Sequence, residues 1–224
     1  MGGNTAALFL NILIIAAIFV LNYFYQKNNF VFWLKCVCSA AFARLGVINL
    51  VFAITSGQDD LEFFILMAAG LVFAMLGDIF LNKSFALGAG FFALGHVGFA
   101  VAYSFLQAFG PRDVVIIGVI FIATAAFLLF APCVKFGSEN IKWICLAYSL
   151  IISVMLGKAI ANLICGVNAV NALIAAGSFL FFFSDLMLVL NWFVRVGRWA
   201  GNACMGTYYP ALCILALSMY FKAF

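Results

Sequence analysis

Residues 61–82 read LEFFILMAAGLVFAMLGDIFLN, an apolar run as long as one membrane crossing that holds Asp78 near its end. A helix needs about 20 such residues to cross the hydrocarbon core of a bilayer. Seven further runs of this kind can be drawn around it: 6–24, 31–54, 84–109, 113–132, 141–165, 168–194 and 203–221. None alternates polar and apolar residues as barrel strands do. We therefore expect an all-α, polytopic membrane helical bundle of about eight transmembrane helices, with residues 1–224 forming a single integral membrane domain.

The composition indicates that lipid is the solvent for most of the surface. Hydrophobic residues make up 68% of the 224 residues and charged residues 8%, whereas a soluble domain is roughly 45–50% apolar and about 25% charged. The net charge of +4 comes from basic residues that stand mostly alone between apolar runs. This pattern is typical of loop anchors in membrane proteins and does not indicate binding to nucleic acid.

The basic residues also orient the bundle. The first, third, fifth and seventh loops hold most of them: Lys27, Lys83, Lys135, Lys142, Arg195 and Arg198. The opposite side holds Arg112 and Lys222. The positive-inside rule then predicts that both termini lie on the non-cytoplasmic side. The host membrane is a bacterial inner membrane or a eukaryotic internal membrane such as the endoplasmic reticulum.

One internal similarity stands out. Residues 68–81, AAGLVFAMLGDIFL, align without gaps with residues 175–188, AAGSFLFFFSDLML, and this alignment places Asp78 over Asp185. The two segments fall on the third and seventh helices, which run in the same direction. A parallel four-plus-four repeat would explain the match, and membrane proteins often place their site at a repeat interface. Chance similarity between two helices rich in Phe and Leu is the open alternative.

Charged residues within a span are costly and usually mark function. Asp78 and Asp185 are flanked by apolar residues and lie in the predicted cytoplasmic half of their helices. The same layer holds polar residues from three further helices: Lys35, Tyr148, Tyr208 and Tyr209. Three other polar residues fall at other depths, and taken alone each is better explained by packing, ion pairing or snorkelling than by function: His96, Arg44 and Lys158.

Two buried carboxyl groups suit acid and base chemistry. Burial raises the pKa of a carboxyl group, and a neighbouring carboxylate raises it further. One group can then stay protonated while the other is ionised, as is needed to cleave an acetal or ether bond. Lys35 can hold a phosphate as a point charge, and tyrosine hydroxyls can orient a water molecule or a carboxyl group.

Other chemistries have less support. The chain has one histidine, which argues against a zinc-dependent lipid amidase, and it has no Gly-x-Ser-x-Gly motif for a serine nucleophile. We expect no metal and no cofactor. A different class of function remains open, in which a small proton- or cation-coupled transporter or a lipid-binding membrane protein uses the same two aspartates. The transmembrane segments show no proline pair of the kind that would favour transport.

Residues 70–109, GLVFAMLGDIFLNKSFALGAGFFALGHVGFAVAYSFLQAF, contain a Gly-Asp, then Phe-x-x-Gly, then a Gly-His on the next helix. Residues 177–193, GSFLFFFSDLMLVLNWF, contain a Ser-Asp within an apolar helix. In this order the motifs resemble the signatures of the YhhN-like membrane proteins, the lysoplasmalogenases, and residues 148–155 and 207–209 match further family positions. The chain departs from the family pattern at Cys36, Phe99 and Asn191-Trp192.

The resemblance implies hydrolysis of the vinyl ether bond of lysoplasmalogens to a fatty aldehyde and glycerophosphoethanolamine or glycerophosphocholine. It implies that Asp78 and Asp185 are the catalytic residues. It also implies substrate-binding or supporting roles for a wider set: Lys35, Asn82, His96, Tyr148, Ser184, Asn191, Tyr208 and Tyr209. The partners would be the lysophospholipid substrate and the lipids of the membrane, from whose inner leaflet a single-chain lipid would enter.

Overall fold

The computed structural model describes residues 2–28, 31–194 and 197–224, and every helix in it is long. The helices are α1 Gly2–Lys27, α2 Phe32–Thr55, α3 Leu61–Phe80, α4 Phe85–Leu106, α5 Pro111–Phe130, α6 Glu139–Cys165, α7 Ala169–Val189 and α8 Arg198–Ala223. A π-helical segment, Leu190–Val194, extends α7. All eight helices are long and apolar enough to cross a membrane, and the described residues contain no strand. The predicted all-α membrane bundle is confirmed, while Arg195 lies outside the described residues.

Side chains in the short polar breaks start several helices. The Ser138 hydroxyl accepts a hydrogen bond of 3.4 Å from the Ile141 amide at the start of α6. The Asn168 side chain accepts one of 2.9 Å from the Asn171 amide at the start of α7. These bonds satisfy amide groups that the first turn of a helix leaves without a partner. Two of the breaks predicted from the sequence therefore coincide with helix starts that a side chain caps.

Six of the helices form a closed ring. Its order is α2, α3, α4, α6, α7 and α8, which returns to α2, and α3 also contacts α8. The other two helices lie outside the ring, α1 against α2 and α8, and α5 against α6. Within the described residues α4 and α5 do not pack together, although they are consecutive in sequence. Most of the surface of α1 and α5 therefore faces lipid, while the ring encloses polar residues such as Asp78, His96 and Asp185.

The helix pairings bear on the predicted repeat. In a four-plus-four repeat, α1 to α4 would correspond to α5 to α8. The packing of α1 on α2, of α2 on α3 and of α3 on α4 then has counterparts in the packing of α5 on α6, of α6 on α7 and of α7 on α8. The contact of α2 with α8 corresponds to that of α6 with α4. The contacts of α8 with α1 and α3 have no counterpart in the described part of the chain. The four-plus-four repeat therefore stays a prediction.

Small residues hold α3 and α4 close together. A methyl group at Gly88 would lie 2.7 Å from the Cα atom of Leu81, and one at Gly77 would lie 2.8 Å from the ring of Phe92. Small residues at such interfaces let transmembrane helices approach closely. The Gly77 contact presses the Phe92 ring against the turn that carries Asp78, so this packing shapes the interior around one of the two aspartates.

The ends of the bundle follow from two contacts. Lys222 at the end of α8 pairs with Asp60 at 2.7 Å, and the Gln58 side chain donates a hydrogen bond of 2.8 Å to the Ala223 carbonyl. The end of α8 therefore lies beside the loop between α2 and α3. The loops after α1, α3, α5 and α7 lie at the other end, which we call the lysine-rich end. Which compartment each end faces stays a prediction.

Candidate active site

Asp185 lies in a polar group formed by α4, α6 and α7. The hydroxyl of Tyr148 donates a hydrogen bond of 2.5 Å to Oδ2 of Asp185. Nε2 of His96 lies 2.7 Å from the same hydroxyl and 3.2 Å from Oδ2. Oδ1 of Asp185 has no hydrogen-bond partner among the described residues. The carboxyl group is thus held on one side only, which leaves one oxygen for another molecule.

The ring of His96 is fixed on all sides. It is fully buried, its Nδ1 lies 3.2 Å from the sulfur of Met155, and its centroid lies 4.5 Å from that of Phe181. With a proton on Nε2, His96 donates to the Tyr148 hydroxyl, which in turn donates to Asp185. The three residues therefore form a short chain along which a proton can move towards or away from the carboxyl group.

An apolar pocket opens next to this chain. Its space amounts to about 620 Å³, part of which is open to the surroundings. Its walls come from the residue that follows α3 and from four helices, α4 to α7: Leu81, Phe85, Ala89, Phe92, Thr124, Leu128, Cys145, Tyr148, Ser149, Ile152, Phe182, Asp185, Leu186, Leu188 and Val189. Asp185 is the one acidic residue among them. The walls lie towards the lysine-rich end, and a carboxyl group at the side of an apolar pocket suits a lipid chain with one reactive bond.

Asp78 lies in a second polar group, formed by α2, α3 and α8. Its Oδ1 pairs with Nζ of Lys35 at 2.9 Å. Its Oδ2 accepts hydrogen bonds from the hydroxyl of Ser39 and, at 3.1 Å, from the hydroxyl of Tyr209. The carboxylate is 1% exposed and the lysine 4% exposed. Both oxygens of Asp78 are therefore occupied, and Asp78 is not among the residues that line the pocket.

Aromatic rings separate the two aspartates. The centroid of Tyr208 lies 5.9 Å from that of Phe92 and 5.5 Å from that of Phe181. The Tyr208 hydroxyl donates a hydrogen bond of 3.0 Å to the Ala74 carbonyl, one turn before Asp78. Both carboxylates lie within electrostatic reach of Tyr208. Among the described residues they have no hydrogen-bond partner in common, so the layer predicted from depth divides into two groups.

Three other predicted residues lie apart from these hydrogen bonds. Ser184 is buried beside Asp185, but its hydroxyl lies 3.5 Å from the sulfur of Cys204. Asn82 is exposed in the turn after α3, and Asn191 is exposed on the π-helical segment. Both asparagines lie near the lysine-rich end. Their predicted roles in binding the substrate stay predictions.

Sequence reasoning missed one member of each polar group. Ser39 was not predicted, although it follows Lys35 by one helical turn and so shares its face of α2. Met155 was noted as a family position without a role, and it lies two turns after Tyr148 on α6. Helical spacing from a residue already chosen was the signal that could have found both. No signal in the sequence indicated that α5 would line the pocket through Thr124 and Leu128.

Lys158 has a structural partner. Its ammonium lies 3.0 Å from Asp113 and 3.1 Å from the Ala108 carbonyl, and both charged residues are buried. Asp113 also accepts a hydrogen bond of 2.7 Å from the Gly110 amide at the start of α5. This group joins α6 to the loop between α4 and α5. Ion pairing, one of the alternatives for Lys158, is what the structure shows.

Comparisons with known proteins show the family to which the chain belongs. The chain is 33% identical to lysoplasmalogenase TMEM86A of Homo sapiens over 156 residues, which is 66% of this chain and 62% of that protein. The match spans less than two thirds of that relative's own length. No solved structure matches the chain. The family model of the YhhN family matches residues 35–219, which run from Lys35 through both aspartates to near the end of α8. The chain therefore belongs to the YhhN family.

Proposed function

We propose that this protein is a membrane hydrolase that cleaves the vinyl ether bond of lysoplasmalogens. The products are a fatty aldehyde and glycerophosphoethanolamine or glycerophosphocholine. One observation carries the proposal: a carboxyl group with a free oxygen, backed by a tyrosine and a histidine, lies in the side of an apolar pocket. Membership of the YhhN family and the similarity to a lysoplasmalogenase support it.

The reaction consumes one water molecule. A proton adds to the β-carbon of the vinyl ether, and the resulting positive charge is shared between the α-carbon and the ether oxygen. Water then bonds to the α-carbon and loses a proton, which gives a hemiacetal. The hemiacetal collapses as its hydroxyl proton leaves and the glycerol oxygen takes up a proton, which releases the aldehyde. The enzyme must supply a proton first and stabilise a cation next.

Asp185 is placed to do both. In its protonated form it can give a proton to the β-carbon, and the carboxylate that results can stabilise the cation beside it. His96 and Tyr148 can return a proton to the carboxyl group through the hydrogen bonds that join them. The apolar walls hold the alkenyl chain, and because the pocket lies towards the lysine-rich end, the glycerophospho group would lie near the basic loops there.

Asp78 is the second carboxyl group of the proposal. Lys35, Ser39 and Tyr209 hold it as a carboxylate outside the pocket walls, so its effect on the cation would act through space rather than by contact. Tyr208 lies between the two groups and within electrostatic reach of both. In this form of the proposal Asp185 exchanges the proton, and Asp78, whose charge is balanced by Lys35, acts on the cation through the field of that ion pair.

The test is aldehyde release by the purified full chain in detergent, with lysoplasmenylethanolamine and lysoplasmenylcholine as substrates. The matched control lipid has a saturated alkyl ether in place of the vinyl ether, and it has no β-carbon that can accept a proton. In deuterated water the aldehyde, trapped at once by reduction, should carry one deuterium next to the former carbonyl carbon. Asp185→Asn should reduce the rate by about 100-fold or more, the usual scale of general acid catalysis.

Cleavage of the alkyl ether control, or aldehyde without deuterium, would contradict the proposed chemistry. Release of no aldehyde from either headgroup by well-folded protein would contradict the proposed function. That result would favour the other class of function left open by the sequence, a proton- or cation-coupled transporter or a lipid-binding protein that uses the same aspartates.

A further inference from the structure

Arg44 lies at the centre of α2 and is exposed. It follows Phe32, the first residue of α2, by 12 positions and precedes Thr55, the last, by 11. At 1.5 Å per residue, these separations correspond to about 18 Å and about 16 Å. An arginine side chain is far shorter than either distance, so it cannot carry its charge to the headgroups at the ends of the helix. A lone charge at this depth is costly.

The exposed residues around Arg44 lie along one face of α2. The exposed residues along it are separated alternately by four and three positions: Trp33, Val37, Ala40, Arg44, Val47, Val51 and Ile54. Residues at this spacing form one continuous stripe along the helix, wide enough for a second helix to pack against it. We call this row the α2 seam. Ala40 lies one turn before Arg44, where a small side chain lets a second helix approach closely.

The described part of the chain supplies no counter-charge for Arg44. Arg44 makes no hydrogen bond or ion pair with any described residue. Three of the seven acidic residues are buried, and two of these pair with lysines: Asp78, Asp113 and Asp185. The other four lie in loops or first turns of helices: Asp59, Asp60, Glu62 and Glu139. A second copy of this chain therefore offers no exposed carboxylate at the depth of Arg44.

We propose that the α2 seam binds a transmembrane helix of another protein that carries an aspartate or glutamate near its middle. The carboxylate would pair with Arg44, and the valines on either side would pack against the partner's apolar residues. The low dielectric of the bilayer makes such a pair strong once both charges are there. This surface lies on α2 and includes no residue that lines the pocket, so the proposal does not rest on the proposed function.

The experiment measures binding of a designed helix to the full chain in nanodiscs of phosphatidylcholine. The probe is a labelled polyleucine peptide of transmembrane length with one central aspartate, and energy transfer to a fluorophore on a terminal tag reports association. The control peptides carry a central leucine or an aspartate at one end. We expect at least tenfold tighter binding of the central-aspartate peptide than of either control. Arg44→Leu should remove this preference, and Arg44→Lys should keep part of it.

Two further variants sharpen the result. Ala40→Trp keeps the charge but blocks the α2 seam, and it should weaken binding as Arg44→Leu does. Arg112→Leu removes an exposed arginine at the start of α5 and should leave binding unchanged. Equal binding of all three peptides, or a preference that survives Arg44→Leu, would overturn the proposal. So would loss of the preference when phosphatidylglycerol is added, because Arg44 would then be satisfied by lipid phosphate.

Discussion

The Tyr148 hydroxyl joins His96 to Asp185, with 2.7 Å to Nε2 of His96 and 2.5 Å to Oδ2 of Asp185. Tyr148→Phe keeps the ring and removes this bridge. We expect the rate of aldehyde release to fall by about 10- to 100-fold, which corresponds to the loss of a hydrogen bond to a charged group worth about 1.5–3 kcal/mol. Turnover at saturating substrate measures the effect, because phenylalanine keeps the aromatic ring that Tyr148 contributes to the pocket wall.

The matched control for this variant is Tyr103→Phe. Tyr103 is fully buried, whereas Tyr148 is partly buried, and the Tyr103 hydroxyl lies 3.0 Å from that of Ser178, away from the pocket. Its loss should leave turnover close to that of the wild type. Equal effects of the two variants would mean that Tyr148 contributes to packing alone.

Two variants separate what the pair of Asp78 and Lys35 contributes to stability from what it contributes to catalysis. Asp78→Asn leaves the buried Lys35 ammonium without its counter-charge, and breaking a buried pair in this way costs about 3–5 kcal/mol of the free energy of unfolding. The double variant Asp78→Leu with Lys35→Met removes both charges and should recover most of that stability. Thermal unfolding in detergent checks both expectations.

Activity of the double variant decides the role of Asp78. If Asp78 stabilises the cation as proposed, the double variant is stable and still slow. Full turnover by the double variant would show that the pair only holds α2 against α3. Lys222→Met is the control for the loss of a lysine, since the pair of Lys222 with Asp60 is exposed and such pairs contribute about 0–1 kcal/mol.

The walls of the pocket should set the length of chain that the protein accepts. Leu128 on α5 is 5% exposed and lines the pocket, whereas its neighbour Leu129 is 44% exposed and does not. Leu128→Trp fills part of the space, so we expect KM to rise more for long-chain than for short-chain substrates. Leu129→Trp adds the same ring on the lipid side and should change KM for neither the long-chain nor the short-chain substrates. If the dependence of KM on chain length were the same in the two variants, the substrate's alkenyl chain would not lie in this pocket.

The contact between α3 and α4 should tolerate no added methyl group at Gly88. A Cβ atom there would lie 2.7 Å from the Cα atom of Leu81, which is backbone and cannot move aside. Gly88→Ala should lower the free energy of unfolding by about 1–3 kcal/mol. Gly90→Ala on the same helix meets nothing within 4 Å and should have no destabilising effect. Thermal unfolding of the two variants under one condition makes the comparison.

The sequence by itself determined the architecture of this protein. Apolar runs such as 61–82 are long enough to cross a bilayer and too apolar for water, so the helices and their number followed from length and composition. It also indicated the main polar residues, since an aspartate such as Asp78 or Asp185 within an apolar helix has to find partners inside the bundle. These conclusions depend on local sequence alone.

Only the tertiary structure decided which polar residues meet. Depth along each helix placed Asp78 and Asp185 in one layer. In the structure, Asp78 pairs with Lys35 and Asp185 with Tyr148. Which residues meet depends on how each helix is rotated about its axis and on which helices are its neighbours in the ring. The same holds for Lys158, which the fold pairs with Asp113, and for Arg44, which it leaves on the outer face of α2. Helix order around the ring is set by the packing of side chains distant in sequence, and no single helix encodes it.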